Sequence, residues 1–211
     1  MKNLCALFVA VLALCAPAAA APQSTPAPAA RAATILFVGI SIFHRWTNLA
    51  QQMAPLPVVN RAVDGLQTPD LLRRFDADVL SLQPRVLVYY CGSNDVDAGD
   101  TADHIVARIK EYVDRVATTL PGTRVVFMAV NKAPEKRALW NVVDAVNRGV
   151  EQYGAATRRL TYVEVNPVLF NKDGSPRMEL YMPDELHFRP PAYDEFTKIL
   201  KPVLTKAFET P

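Results

Sequence analysis

Short, almost uninterrupted apolar blocks alternate along the chain with longer stretches in which apolar and polar positions recur at helical spacing. The blocks Thr34–Val38, Val58–Asn60, Val86–Tyr90, Arg124–Val130 and Thr161–Val165 are rich in β-branched and aromatic residues and predict strands. Strands that are apolar on both sides belong in a sheet covered by helices on both faces. Between them the pattern predicts helices over about Ile42–Met53, Thr68–Leu80, Thr101–Thr119, Arg137–Tyr153 and Pro191–Phe208. In the third, Ile105, Ile109, Tyr112, Val113 and Val116 share one helical face. The last starts after Arg189-Pro190-Pro191, where a first helical turn tolerates proline. Five alternations of strand and helix predict an α/β fold, a three-layer α/β/α sandwich around a five-stranded parallel sheet. In such sheets ligands gather beyond the carboxyl ends of the strands.

The amino terminus follows a different pattern. Met1-Lys2 gives a short positive start, Leu4–Leu14 is continuously apolar, Pro17 breaks the run, and Ala18-Ala19-Ala20 supplies small residues for cleavage. This is the pattern of a secretory signal peptide over residues 1–20, too short to span a bilayer comfortably. Cleavage after Ala20 is expected, since cleavage one residue later would place Pro22 first in the mature chain. Cys15 raises the alternative of a lipoprotein signal, but Leu14 stands where acylation wants a small residue, so lipidation is not expected. Residues 21–33 (APQSTPAPAARAA) are Pro/Ala-rich, lack apolar periodicity and are expected to be a disordered tether. One domain then occupies residues 34–211. The expected destination is periplasmic or secreted, without a stable membrane span in the mature form.

Composition narrows the choice of partners. Of 211 residues, 50% are hydrophobic and 21% charged, so a packed core is available and wholesale disorder is excluded. With 23 basic against 21 acidic residues the formal charge is only +2, which leaves no electrostatic footprint for nucleic acid. Three cysteines are too few for a disulfide scaffold, and removal of residues 1–20 leaves only Cys91. An exported chain with one cysteine has no internal disulfide, so its stability comes from its core.

Four short motifs carry the candidate chemistry. Gly39-Ile40-Ser41 follows the first strand, where a serine hydroxyl is presented at the sheet edge and at a helix start. Asn60-Arg61-Ala62-Val63-Asp64-Gly65 follows the second, and Gly65 leaves its backbone amide open to a ligand. Gly92-Ser93-Asn94-Asp95 follows the third, where an Asn amide is a good oxyanion donor. Asp184-Glu185-Leu186-His187 precedes the last helix, and an Asp three residues before a His reaches one ring nitrogen and leaves the other as a base. Taken singly, each has an ordinary explanation: an N-cap, a turn glycine, a turn asparagine, a surface pair.

Their joint order and spacing resembles the SGNH (GDSL) hydrolase superfamily, across the whole domain from Thr34 to the final helix. The resemblance implies a flavodoxin-like SGNH hydrolase fold. It implies Ser41 as nucleophile, His187 as general base, Asp184 as its orienting partner, and an oxyanion hole from the amides of Ser41 and Gly65 and the side chain of Asn94. Two positions depart from the family pattern: Ile40 replaces the Asp that precedes the nucleophile, and Asp64 stands where a small residue often precedes the oxyanion glycine. With no carboxylate at position 40, the turn into Ser41 is expected to rely on apolar packing.

Competing constellations are weaker. A G-x-S-x-G elbow fails at Phe43. Asp95, Asp97, Asp100 and Asp103 lack the Gly and Glu of an EF-hand loop and are expected to form a solvated loop ending in a helix N-cap. His44 and His104 have no partner at zinc spacing, so no metal is expected, and no cofactor. Cys91 reads as a small core residue, and Asn131 and Lys132 as a plain loop after the fourth strand. Phe43, Trp46, Tyr89, Tyr90, Trp140, Tyr181 and Phe188 flank the motifs as pocket or core aromatics.

The expected function is therefore an exported serine esterase acting on a small-molecule or polysaccharide ester, with short acyl chains ahead of long ones. The alternatives are a polysaccharide O-acetyl esterase, a lysophospholipase or thioesterase, and, in another class, a catalytically silent carbohydrate- or lipid-binding module on the same scaffold.

Overall fold

The structure, a computed structural model, describes Thr34–Thr210. The expected signal peptide and tether, with Cys5 and Cys15, lie outside the described residues. Five strands form one parallel sheet: β1 (Ile35–Gly39), β2 (Val58–Asn60), β3 (Val86–Tyr90), β4 (Arg124–Met128) and β5 (Leu160–Val163), in the order β2-β1-β3-β4-β5. Ile35 lies opposite both Val58 and Val86, and Val86 opposite Arg124, so the central strands end nearly level. The chain steps outward from β1 to β2 and then returns past β1 to β3. The carboxyl ends of β1 and β3 therefore flank the switch point of the sheet, the place where folds of this type bind ligands.

Among the described residues seven α-helices flank the sheet: α1 (Ser41–His44), α2 (Leu49–Met53), α3 (Thr68–Phe75), α4 (Ser93–Asp97), α5 (Ala102–Thr119), α6 (Trp140–Thr157) and α7 (Pro190–Glu209). Strand alternation sorts the aromatics onto the two faces. Tyr89 stacks on Phe127 and meets Tyr112 of α5, which meets Phe75 of α3. Tyr90, one residue on, meets Phe43 on the opposite face, where Phe37 packs on Phe43 and Trp46, and Trp46 on Tyr193 and Phe196 of α7. The three-layer sandwich is as expected. Full burial holds for β1 and β3 and almost throughout β4, whereas the edge strands β2 and β5 are partly open. Among the described residues no helix is long and apolar enough to cross a membrane.

Element ends differ from the sequence reading for local reasons. The helix expected over Ile42–Met53 is two short ones, because the turn between α1 and α2 drops Trp46 into the core. β4 stops at Met128 because the Asn147 side chain takes over the backbone of Val130, accepting from its amide (2.9 Å) and donating to its carbonyl (2.8 Å). The start of the predicted fourth helix is a tighter 3₁₀ turn, Pro134–Leu139.

Candidate active site

All four motifs lie on connections that leave the carboxyl ends of the strands. Gly39 closes β1 against the backbone of β3: a Cβ there would stand 2.3 Å from the Tyr90 carbonyl oxygen, so only glycine fits. The chain then turns through Ile40 into Ser41, the first residue of α1, where the amides of Phe43 and His44 donate to the Ile40 carbonyl and those of Ser41 and Ile42 precede the first helical bond. Ser41 is buried and, among the described residues, its Oγ has no hydrogen-bond partner.

Ile40 is extended, 1% exposed and makes no side-chain cap. The turn is thus packed into the core at a position where a carboxylate would lose its hydration. Ile40→Asp is expected to cost about 3 kcal/mol in lost burial and carboxylate desolvation, lowering the melting temperature by roughly 6–12 °C. An unchanged melting temperature by calorimetry would discard the packing argument.

The loop after β2 is tied to this turn. The Val63 amide donates to the Gly39 carbonyl (3.1 Å), the Asn60 side chain donates to the Phe43 carbonyl (2.7 Å), and the His44 ring donates through Nδ1 to the Ala62 carbonyl (2.9 Å). Asp64 accepts two bonds from the Arg45 guanidinium, at 3.2 and 3.1 Å. The second departure from the family pattern is therefore the partner of a residue on the serine side. Both side chains are nearly half exposed, which limits the pair to about 0–1 kcal/mol of stability. Gly65 follows with φ +76°, a conformation that favours glycine, and open space faces its Cα.

Asn94 is the second residue of α4, and its Nδ2 donates to the Leu66 carbonyl at 2.8 Å. An amide nitrogen carries two protons, so one bond fixes the group beside Gly65 and leaves a second N–H. The next residue corrects the solvated-loop expectation. Asp95 is buried, accepts from the amide and hydroxyl of Thr68 at 3.0 and 2.5 Å, and lies 3.6 Å from Arg108. It anchors α4 to the start of α3. Thr101, not an Asp, caps α5 through its side chain, accepting from the His104 amide.

Asp184 and His187 form a closed turn after β5. One carboxylate oxygen of Asp184 accepts from the amides of Leu186 (3.0 Å) and His187 (2.9 Å); the other lies 2.7 Å from His187 Nδ1. Burial alone would raise the Asp184 carboxyl, but the bonds from the His187 ring and these two amides override it and hold it at about 2. An ionised carboxylate only accepts, so Nδ1 carries a proton and, in the neutral ring, Nε2 presents its lone pair. The ring of Phe188, next to His187, meets Tyr193 (centroids 6.2 Å), whose hydroxyl donates to the Ile42 carbonyl next to Ser41 at 3.0 Å. The His187 turn and the Ser41 helix thus share one residue of α7. No hydrogen bond joins Ser41 to His187 themselves.

The other sequence candidates are held in packing or pairing roles. Cys91 is buried, and burial, with the neighbouring Asp95 carboxylate, pushes its thiol well up. Asn131, expected in a plain loop, is buried and bonded to the Tyr90 hydroxyl, while Lys132 pairs with Asp144 and lies over the Trp140 and Phe170 rings. Phe43, Trp46, Tyr89, Tyr90, Tyr181 and Phe188 are core residues; of the flagged aromatics only Trp140 is half-buried at the surface. Among the described residues no three His, Cys, Asp or Glu side chains converge as a metal-ion site.

The sequence profile of the GDSL-like lipase/acylhydrolase family matches residues 39–194. The fold is similar to that of a GDSL-like lipase from Bacteroides thetaiotaomicron, at 20% identity and TM-score 0.72 over 82% of this chain and 88% of that one. It is similar also to a lipase/acylhydrolase from Enterococcus faecalis, at 18% identity and TM-score 0.70 over 82% and 95%. A third likeness is to a variant of an acetyl-xylooligosaccharide esterase from Geobacillus, at 20% identity and TM-score 0.63 over 84% and 94%. No curated protein matches the chain.

Proposed function

The chain belongs to the GDSL-like lipase/acylhydrolase family and is an ester-hydrolysing enzyme, and from that premise we propose that it is a serine esterase for short-acyl esters, with Ser41, His187 and Asp184 as its triad. Ser41 Oγ attacks the ester carbonyl as His187 Nε2 takes its proton. Negative charge develops on the carbonyl oxygen and is met by the amides of Ser41 and Gly65 and the second N–H of Asn94. The tetrahedral species collapses, His187 returns the proton to the leaving alkoxide, and the alcohol departs. Water deprotonated by His187 then attacks the acyl-enzyme, and the acid is released with Ser41 regenerated.

The observation that carries this reading is the Asp184–His187 turn, which fixes Nδ1 against a carboxylate and leaves Nε2 unbonded on the edge where Ser41 Oγ is also unbonded. A short acyl preference is supported by the connections after β1, β2 and β3, which carry the covering helices α1–α5 and no large insertion that would build a deep acyl tunnel. Met182 supplies an apolar rim: it is 43% exposed, and its amide donates to the His187 carbonyl.

The test is an acyl-chain profile on p-nitrophenyl esters, run beside acetylated xylan and a lysophospholipid. The expected kcat/KM is highest for acetate to butyrate and falls by more than roughly tenfold at octanoate. A maximum at octanoate or beyond overturns the short-acyl reading in favour of a lysophospholipase or thioesterase. The Geobacillus esterase acts on acetyl-xylooligosaccharides, and faster turnover of acetylated xylan than of the small esters would make polysaccharide deacetylation the function. Folded protein that neither turns over an ester nor reacts with a fluorophosphonate would be a binding module.

A further inference from the structure

The 3₁₀ turn Pro134–Leu139, between β4 and α6, is bonded to two of the elements that carry the proposed chemistry. Lys136 within it is 4% exposed, although lysine is seldom buried. Its ammonium lies 3.2 Å from Asp97 Oδ1, at the last residue of α4, and donates to the carbonyl of Ser93, at the first, at 3.4 Å. One buried cation therefore braces α4 end to end on the flank of Asn94. The adjacent residue faces the other way: the Glu135 amide donates to the Glu185 carbonyl at 3.3 Å, inside the Asp184–His187 turn.

A helix of five residues does not hold itself together, because too few internal bonds repay its nucleation. The position of α4 is set from outside, by Leu66 on the Asn94 side chain, by Gln67 on the Asn94 carbonyl, by Thr68 and Arg108 on Asp95, and by Lys136 on Ser93 and Asp97. Of these contacts, the Lys136 one comes from an element that is also bonded to the His187 turn, through the Glu135 amide. A buried ammonium is costly unless it is paired, and a lysine serving solubility alone would stand in water. We propose that Lys136 is a positioning residue for ester hydrolysis: it holds α4 so that the second N–H of Asn94 meets the developing oxyanion, in register with the turn that carries His187. This rests on the reading of Asn94 as an oxyanion donor.

Displacing a catalytic group by a fraction of an ångström lowers the rate of the chemical step more than substrate binding. Lys136→Met, which keeps the buried stem and removes the charge, is expected to lower kcat by about 10- to 100-fold with KM changed less than about twofold. The deciding measurement is a double-mutant cycle with Asn94→Ala. Once the amide is gone, Lys136→Met should cost less than about threefold further, because both changes remove the same interaction. Should Lys136→Met not fold, Asp97→Ala removes the other end of the brace from a side chain that is 57% exposed, and its kcat loss should likewise vanish in the Asn94→Ala background. A folded Lys136→Met with wild-type kcat and only a lower melting temperature overturns the proposal, as do losses that multiply fully in the double mutant. If Asn94→Ala itself leaves kcat unchanged, the oxyanion reading fails, and the proposal with it; a large Asn94→Ala effect beside a silent Lys136→Met sinks the proposal alone.

Discussion

Ser41→Ala is expected to lower kcat for p-nitrophenyl acetate by about 10⁵- to 10⁶-fold and to abolish fluorophosphonate labelling, while the protein stays folded. The size of the loss follows from the mechanism. Without Oγ no acyl-enzyme forms, and His187 and the oxyanion donors have only direct attack by water left to assist, which leaves a small residue of catalysis. The fold is indifferent because Ser41 Oγ bonds to nothing among the described residues, and alanine in its place leaves no buried partner unsatisfied. The stability change should lie within about 0.5 kcal/mol, or roughly 2 °C in melting temperature. A variant that keeps more than about a hundredth of the wild-type kcat would remove Ser41 as nucleophile, because loss of a nucleophile costs far more than that. A variant that is inactive but unfolded would contradict the structural half of the prediction, since nothing in the packing depends on that hydroxyl.

The architecture was legible because the central strands are apolar on both sides and glycine or a motif marks each of their ends. Ile35–Gly39 and Val86–Tyr90 declare a covered parallel sheet, and the order of polar blocks after them places the chemistry at one edge. Local sequence carried no sign of the parts held by distant bonds. Ser93–Asp97 has no helical periodicity, and its position is fixed by bonds from distant residues, Leu66, Gln67, Thr68, Arg108 and Lys136. Asp95 reads as one more acid in an acidic loop, and its burial follows from a partner 27 positions earlier in the chain. Lys136 sits in a run of charged residues, Glu135-Lys136-Arg137, in which nothing distinguishes the buried one from its neighbours. β4 ends before the apolar run does for the same reason, since Asn147, 17 residues beyond Val130, supplies the bonds that a continuing strand would make. The Arg45–Asp64 pair shows the reverse case: an odd residue in a motif was visible at once, and its reason needed the fold.

Asp184→Asn is expected to reduce kcat by about 10⁴-fold with KM nearly unchanged, and the hydrogen bonds around the carboxylate explain why so small a change costs so much. One oxygen is committed to the amides of Leu186 and His187, which are both donors. An asparagine must keep its carbonyl oxygen toward those amides and so turns its NH₂ toward His187 Nδ1. The ring then serves as acceptor at Nδ1 and carries its proton on Nε2, where it cannot take the proton of Ser41. The same geometry gives the dependence on pH. The folded carboxyl is held at about 2, below the value near 3.9 of an unfolded chain. Its contribution to stability is therefore fully present above pH 4 and is lost as pH falls from about 4 toward about 2. Because Asp184 is nearly half exposed, solvent screening keeps that contribution modest, but its shape is distinctive. The part of the melting-temperature difference between wild type and Asp184→Asn that comes from this carboxylate should be fully present above pH 4 and close as pH falls from about 4 toward about 2. A difference that persists unchanged at pH 2 would mean that the carboxylate is not held by the His187 ring and amides, and the tautomer argument would fall with it.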